Sequence, residues 1–184
     1  SPRLGDRITI IGAGVVGCLI ARLASRLPGC RIQLADIDAA KETAAEALGV
    51  RWVAPDRAEG GQDLVIHASG APEGLATALR LAGFEAVIVE ASWFGTQPVS
   101  LPLGEDFHVK RLTIRSSQVG AIATAQRPRW NRSRRMSTVM ELLDDPALDA
   151  IFSGESPFVE LPRVMAELSR NPQGVLCHRL VYTR

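Results

Sequence analysis

Segments typical of β-strands alternate with segments typical of α-helices through the first 90 residues of this 184-residue chain. Helices of 10 to 15 residues between short strands indicate a parallel sheet with crossover helices. Nearly continuous apolar strands agree, because such strands are covered on both faces. The predicted fold is therefore α/β with a doubly wound parallel sheet, its strands at 7–11, 31–35, 51–53, 64–68, 86–89 and 112–115 and its helices at 15–27, 39–48 and 72–81.

The pattern changes after Gly120, and 93–107 is predicted as a long loop. Beyond Gly120 we expect a C-terminal helix–helix–strand segment. Its first helix, capped by Asn131 or Ser133, has an apolar face at the helical spacing i, i+3, i+4, i+7. The residues of that face are Met136, Val139, Met140 and Leu143. After it we expect a connection through Pro146 and Pro157, a helix carrying Val164, Met165 and Leu168, and a strand at 175–182.

Charge is unevenly distributed along the chain, although its formal net is only +1. Residues 107–140 hold eight bases and no acid, so the remainder, with 13 bases and 20 acids, has a net charge of −7. A hydrophobic share of 46% excludes a disordered or fibrous chain. The arginines from Arg127 to Arg135 beside Trp130 would suit single-stranded nucleic acid. We favour a solvated connection instead, because only two of the 21 bases are lysine, and we expect no nucleic-acid partner.

Three scattered cysteines, Cys18, Cys30 and Cys177, do not form a disulfide framework. No apolar stretch reaches the length that a membrane span needs. We therefore expect a cytoplasmic protein with no membrane partner. The chain starts at Ser1-Pro2 rather than Met, which we interpret as a processed or excised segment.

The motif Gly12-Ala13-Gly14-Val15-Val16-Gly17 directly follows the first strand and opens a helix. Gly12 permits a tight turn, Gly14 lets the backbone approach a pyrophosphate, and Gly17 lets the helix pack closely on the strand. Free N–H groups at the helix start favour bound phosphates. A glycine-rich turn with no ligand is the alternative that the motif alone leaves open.

Asp36 strengthens the nucleotide interpretation, because it lies 19 residues past Gly17 at the end of the second strand. A carboxylate there accepts hydrogen bonds from ribose hydroxyls and repels a 2′-phosphate. Position 37 is Ile rather than an arginine that would bind such a phosphate, so NAD is preferred over NADP. Lys41 could reach the adenosine ribose, with a solvated lysine as the alternative, and Asp38 is the better candidate for a helix cap.

These residues resemble the medium-chain, zinc-containing alcohol and polyol dehydrogenases. The resemblance lies in the order of several pieces, which are Leu4 to Gly17 (LGDRITIIGAGVVG), Ala35 to Asp38 with Lys41, Asp63 to Gly70 (DLVIHASG), Lys110 to Ser117 (KRLTIRSS) and Ser156 to Tyr182. It implies a Rossmann fold and NAD as cofactor. The NAD contacts it implies are Gly12, Ala13, Gly14, Val15, Val16, Gly17, Asp36, Ile37, Lys41, Ala68, Ser69, Gly70, Val89, Ala91, Ser116, Ser117 and Gln118.

The family's catalytic zinc is held by an N-terminal domain that has no counterpart here. The three cysteines and His67, His108 and His178 show no ligand spacing, so we expect no metal site and name no catalytic residue. We predict a dinucleotide-binding domain at 1–123 and, at 124–184, a segment returning to an absent catalytic domain.

The function that follows is hydride transfer between NAD and an alcohol or carbonyl compound, for an intact protein of which this chain alone would be inactive. We expect a dinucleotide partner and, for the intact protein, a small-molecule substrate, and we leave open whether the protein is a homo-oligomer. One alternative is a stand-alone nucleotide-binding or redox-sensing module, which should lack an exposed apolar patch for a partner domain. An S-adenosylmethionine methyltransferase is another, although the third glycine of the motif argues against it.

Four further side chains have plain structural interpretations. His67 is expected to be a partly buried strand-end histidine with a backbone partner, the alternative being a role beside the adenosine or in proton movement. Cys18 is expected to be a small packing residue of the helix. The alternative is a reactive thiol whose pKa is lowered by its position at the start of the helix. His178 and Arg179 are expected to be solvent-facing residues of an edge strand rather than pyrophosphate ligands.

Overall fold

The computed structural model describes residues 2–182 and has an α/β architecture. Six strands form one parallel sheet: β1 (Arg7–Ile11), β2 (Arg31–Ala35), β3 (Arg51–Val53), β4 (Gln62–His67), β5 (Ala82–Glu90) and β6 (Thr113–Ser116). Three helices connect strands of this sheet: α1 (Val15–Ser25), α2 (Glu42–Ala47) and α3 (Pro72–Leu81). The C-terminal part comprises α4 (Arg132–Leu143), β7 (Phe152–Pro157), α5 (Leu161–Arg170) and β8 (Cys177–Val181).

The strand order is β3-β2-β1-β4-β5-β6, with every pair parallel. This is the Rossmann order, and the predicted doubly wound sheet is confirmed. The order reverses between β1 and β4, so a crevice opens at their carboxyl ends, where ligands bind in such sheets. The apolar strands feed two buried clusters, one around Ile10 and Leu34 and the other around Val65 and Ile88.

Local signals account for where the helices begin and end. Pro72 occupies the first turn of α3, as predicted, because its missing N–H has no partner to lose there. Gly49 has φ +72° after α2, the left-handed conformation that ends helices. Helix α1 stops at Ser25 rather than at the predicted Leu27, because a residue before proline, here Pro28, disfavours helical backbone.

Several predicted boundaries were wrong. The helix predicted at 39–48 divides into a 3₁₀ turn at Ala39–Lys41 and α2, because the Asp38 carboxylate accepts the Ala40 N–H and tightens the first turn. Strand β5 begins four residues early, with Glu85 at φ +57° and a register shift against β4. The loop predicted at 93–107 contains a short helical turn at Leu103–Phe107. Smaller shifts of one to two residues affect β4, β6 and β8.

The C-terminal part contains a small parallel pair, β7 with β8. The sequence predicts only a connection where strand β7 lies. The strand was missed because its polar and exposed residues show no alternation of apolar and polar positions. Asn131 caps α4 by accepting the Arg134 N–H at 2.8 Å, as one of the two predicted candidates. However, α4 buries none of its residues, and the side chains of Met136 and Met140 are each 61% exposed.

Within residues 2–182, no helix combines the length and the hydropathy that crossing a membrane requires.

Candidate functional site

The turn between β1 and α1 is packed so tightly that only glycine fits at two of its positions. Gly12 has φ +101°, and a Cβ built on it would lie 2.6 Å from the Cα atom of Ser69. A Cβ on Gly17 would overlap the carbonyl oxygen of Gly12. Gly14, by contrast, faces open space, with no atom within 4 Å of an added Cβ. Gly12 and Gly17 are therefore required by packing, and Gly14 leaves room for a ligand.

Asp36 ties this turn to the end of β2. One of its carboxylate oxygens accepts the N–H of Ala13 at 2.5 Å, and the other accepts the N–H of Asp38 at 2.8 Å. The Lys41 ammonium group lies 3.3 Å from the nearer oxygen, and only 16% of its side chain is exposed. Lys41 is thus paired and largely buried rather than solvated. A carboxylate has about four lone-pair sites, and the two backbone N–H groups and the two contacts from Lys41 occupy them, so a ribose hydroxyl would bind Asp36 by replacing Lys41 at one oxygen.

One groove of about 500 Å³ brings together seven of the predicted contacts. It runs along the carboxyl ends of β1, β2 and β4 and is flanked by the first turn of α3. The predicted contacts that line it are Gly12, Gly14, Asp36, Ile37, Lys41, Ala68 and Ser69. Ile37 is 92% exposed, and this apolar side chain borders the groove beside Asp36.

Other predicted contacts lie in a second cavity of about 680 Å³ at the ends of β5 and β6. Val89, Ser116, Ser117 and Gln118 line it, together with Arg115, Arg127, Trp130 and Arg135. The remaining six predicted contacts line neither cavity. Ala13 and Gly17 are buried, and Val15 is half-buried against the core. Val16 and Gly70 are exposed, and Ala91 donates its N–H to the His67 carbonyl.

His67 differs from its prediction. It is fully buried, and its ring nitrogens contact side chains rather than a backbone group. Nδ1 lies 2.7 Å from a carboxylate oxygen of Glu90, and Nε2 lies 2.6 Å from Oγ of Ser69. The partner was missed because Glu90 is 23 residues away in sequence, although both residues end adjacent parallel strands in register. A carboxylate at the end of β5 was the available signal.

Cys18 is buried in α1, and its packing role is confirmed. Burial raises the pKa of its thiol to about 11, an effect that nearby Lys41 opposes only in part. The alternative of a pKa lowered by the helix start is therefore wrong, because the thiol lies inside the core rather than at the open first turn.

The arginines between Arg115 and Arg135 are mostly exposed, and none forms an ion pair with a carboxylate of the described residues. The Arg134 guanidinium stacks 4.3 Å above the Trp130 ring. In β8, Arg179 is exposed and pairs with Glu155, while His178 is half-buried, with Nε2 3.0 Å from Oγ of Ser156. These last two side chains stay within the small sheet rather than at the groove.

No cluster of three or more His, Cys, Asp or Glu side chains that could hold a metal ion occurs among residues 2–182. The described residues therefore do not fit the catalytic zinc that the resemblance implies, and no chemistry is assigned to a metal here.

Neither a protein-family model nor a curated protein matches the sequence. Solved structures do match its fold. L-Idonate 5-dehydrogenase from Escherichia coli is 21% identical, with a TM-score of 0.77 over 97% of this chain and 50% of its own. Alcohol dehydrogenase TADH from Thermus sp. ATN1 is 24% identical, with a TM-score of 0.75 over 99% of this chain and 54% of its own. Acetophenone reductase from Geotrichum candidum, solved with NAD, is 18% identical, with a TM-score of 0.72 over 99% and 50%.

The chain thus spans about half the length of the dehydrogenases whose structures it matches. Nearly all of its own length is covered, so the similarity includes the C-terminal elements as well as the sheet. At these identities the comparison establishes a shared fold. The resemblance to the alcohol and polyol dehydrogenases is confirmed at that level: this chain has the fold of one half of such an enzyme.

Proposed function

We propose that this chain is the NAD-binding part of an oxidoreductase that transfers hydride between NAD and an alcohol or carbonyl substrate. One observation carries the proposal: the glycine turn, Asp36 and the loop after β4 line a single groove at the carboxyl edge of the sheet. The groove lies at the point where the strand order reverses, which is the usual ligand position in this architecture. The dehydrogenase folds that match the chain support the same reaction class.

The residues at the groove would bind the dinucleotide in distinct ways. Gly14 precedes α1 and has no side chain, so a pyrophosphate can approach the N–H groups of the first helical turn. No side chain caps that turn, which leaves those donors available to a ligand. Asp36 would accept hydrogen bonds from the ribose hydroxyls, and exposed Ile37 would cover one face of the adenine. When bound, NAD would supply the hydride acceptor, and the chain would orient it.

We assign the nicotinamide end to the second cavity, where Ser116, Ser117 and Gln118 meet the end of β5 at Val89. Their hydroxyl and amide groups can both donate and accept hydrogen bonds, as a carboxamide requires. The unpaired arginines around this cavity would favour anionic groups of a dinucleotide or of a neighbouring protein surface.

We further propose that residues 1–123 form the dinucleotide domain and that 124–184 return to a catalytic domain outside this sequence. The apolar face of α4 supports this division, because Met136 and Met140 remain exposed where a packed helix would bury them. The same exposed face disfavours a stand-alone nucleotide-binding module. Acid–base chemistry on the substrate would then come from the other domain, and this chain alone would bind NAD without turnover.

Calorimetric titration of the folded chain with NAD, NADH and NADP tests the proposal. We expect binding of NAD and NADH and weaker binding of NADP, since a 2′-phosphate would meet the Asp36 carboxylate. Asp36→Asn should weaken NAD binding about tenfold or more, because hydrogen bonds to a charged acceptor contribute about 1.5–3 kcal/mol each.

The matched control is Asp63→Asn, which removes a carboxylate at the opposite edge of the sheet, where it contacts Arg7. This variant should bind NAD as the parent chain does. A folded chain that binds none of the three dinucleotides would refute the proposal, and so would equal weakening by the two substitutions.

A further inference from the structure

Three side chains at the ends of β4 and β5 form a continuous hydrogen-bonded series from Glu90 through His67 to Ser69. We propose that they form a second reactive centre, in which Ser69 is a nucleophile toward small carboxylic esters, His67 is its general base and Glu90 is a positioning residue. This hydrolytic activity is separate from hydride transfer and does not depend on the proposed NAD function.

The distances fit the geometry of an activated serine. Nε2 of His67 lies 2.6 Å from Oγ of Ser69, within the range that proton transfer to a base requires. Nδ1 of the same ring lies 2.7 Å and 2.9 Å from the two carboxylate oxygens of Glu90. A nucleophile, a base and a group that orients the base are therefore within contact distance of one another.

The hydrogen-bond chemistry determines the direction of the series. An ionised carboxylate can only accept, so the Nδ1 proton of His67 points at Glu90. The Nε2 lone pair then faces Ser69 and accepts its hydroxyl proton. Glu90 is held in turn by the N–H of Ser92 at 2.7 Å, and only 13% of its side chain is exposed. These contacts hold the imidazole in one orientation, and the role of base requires the tautomer that carries its proton on Nδ1.

The base is buried beneath the serine, which lies at the surface of the groove. His67 has no exposed surface, and the Phe94 ring stacks 6.0 Å from it, with an interplanar angle of 17°. Helix α3 closes the other side so tightly that a Cβ on Gly74 would lie 2.5 Å from Nε2 of His67. Ser69 itself is exposed and lines the 500 Å³ groove. His67 does not line the groove, so a ligand there meets Ser69 before the imidazole.

The groove also offers donors for the negative charge that develops on an attacked carbonyl. Helices α1 and α3, of 11 and 10 residues, both begin at this groove without a side-chain cap. The first-turn N–H groups of α1 carry partial positive charge, the kind of group that stabilises an oxyanion. Helix α3 contributes less, because Pro72 has no N–H and the Gly74 N–H already donates to the Ala71 carbonyl. Apolar groove residues such as Pro55 and Ala71 suit a short acyl chain.

The reaction is balanced by the groups present and water. Oγ of Ser69 bonds to the acyl carbon while its proton moves to Nε2 of His67. Breakdown of the tetrahedral intermediate breaks the acyl–oxygen bond to the leaving group, which takes that proton and departs as an alcohol or phenol. Water then attacks the acyl-serine with His67 again as base, releasing a carboxylic acid and restoring the Ser69 hydroxyl.

The experiment treats the 184-residue chain, without dinucleotide, with an alkyl fluorophosphonate and maps the adduct by peptide mass spectrometry. The Ser69 oxygen would displace fluoride, and its proton would leave as hydrogen fluoride. We expect one adduct, on Ser69, and release of 4-nitrophenol from 4-nitrophenyl acetate. Ser69→Ala should abolish both. Because this change leaves buried Nε2 of His67 without its partner, the unfolding temperature of the variant is measured as well, and the adduct mapped on the parent chain remains the deciding result.

Ser92→Ala is the matched control. Its hydroxyl lies 3.5 Å from Nδ1, the nitrogen already bound to Glu90, so labelling should persist. Glu90→Gln should slow labelling about a hundredfold or more, and Glu90→Asp, which keeps a carboxylate, should recover part of that rate. A merely structural Glu90 would show no such difference at equal unfolding temperature.

Absence of any Ser69 adduct on the folded parent would overturn the proposal, as would equal ester turnover by parent and Ser69→Ala. Because NAD binding is measured separately by calorimetry, failure here leaves the NAD proposal standing. Conversely, labelling without NAD binding would support the second centre while the first fails.

Discussion

The sheet region (residues 7–116) and the C-terminal segment (residues 124–182) differ in how much of their apolar surface is buried. Parallel strands of the sheet region carry apolar residues on both faces, and helices cover each face, so that Ile8, Ile10 and Ile88 are fully buried. In the C-terminal segment, which the structure describes throughout, only Ile151 and Val164 are buried. The sheet region thus has a core of its own, whereas the C-terminal segment has an apolar surface without one.

One apolar patch and a few polar contacts hold the C-terminal segment to the sheet region. Ile151 lies in the buried cluster around Ile10 and Leu34, and Leu148 and Leu176 pack against that cluster. Asp145 accepts two hydrogen bonds from Arg22 of α1, at 2.8 and 3.1 Å, next to buried Ile151. Asp38 accepts the Gly174 N–H at 2.7 Å. Since hydrophobic burial is the main favourable term in folding, most of the stability must reside in the sheet region. The four predictions below test this contrast.

The largest effect is expected from Gly17→Ala. Within a helix this change normally stabilises by about 1 kcal/mol. Here the added methyl would overlap the Gly12 carbonyl oxygen, which is backbone and cannot rotate away. We expect a loss of about 3 kcal/mol or more, or no folding, in chemical denaturation. Gly14→Ala is the control: it should fold normally and lose NAD binding. A Gly17→Ala chain of parental stability would contradict the packing.

Core truncation should separate the two regions next. Ile10→Ala removes a fully buried side chain and should lower the free energy of unfolding by about 2–5 kcal/mol. Met140→Ala, on the exposed face of α4, should change it by no more than about 0.5 kcal/mol. Urea titrations of both variants provide the comparison. A costly Met140→Ala would mean that α4 is covered in solution, for example by self-association.

Sequence patterns predicted the sheet region closely and the C-terminal segment only in part. Strand β3 and helix α3 have their predicted bounds, since apolar runs and Pro72 are local signals. The face of α4 has the spacing of a buried helix, but spacing does not reveal whether a partner is present to bury it. At the site, the glycine turn and Asp36 line one groove, and their contacts with NAD stay a prediction. The contact between His67 and Glu90 could not be predicted locally, because strand register creates it.

A smaller effect, dependent on pH, is expected at the Arg22–Asp145 contact. The hydrogen bond from Arg22 holds the pKa of Asp145 below its ordinary value of 3.8. A lowered carboxyl pKa contributes stability that is full above the unfolded-state pKa and is lost as pH falls through the folded-state pKa. Asp145→Asn should therefore lower Tm by a few degrees at pH 7, with a difference that shrinks below about pH 4.

Asp144→Asn provides the control for this experiment, since it removes the same charge from an exposed neighbouring residue. Its Tm should follow the parent at every pH. If the Tm deficit of Asp145→Asn were the same at pH 3 as at pH 7, the ion pair would not be the cause.

The smallest effect is expected at Cys18, where folding should suppress a reaction. With a pKa of about 11, about one thiol in a thousand is ionised at pH 8, and the sulfur is buried as well. Iodoacetamide should modify half-buried Cys177 of the C-terminal segment and leave Cys18 unmodified, as measured by peptide mapping. Rapid Cys18 alkylation in the folded chain would show that the sheet region opens more readily than its packing indicates.

The ion pair between Lys41 and Asp36 changes how cofactor selectivity should work. A lysine 3.3 Å from the carboxylate neutralises much of its field at the groove, so charge repulsion against a 2′-phosphate is weakened. Discrimination between NAD and NADP would then rest on directional hydrogen bonding to the two ribose hydroxyls rather than on long-range electrostatics. Selectivity of this kind is insensitive to ionic strength. Lys41→Met, by unmasking the carboxylate, should make the preference for NAD both stronger and salt-dependent.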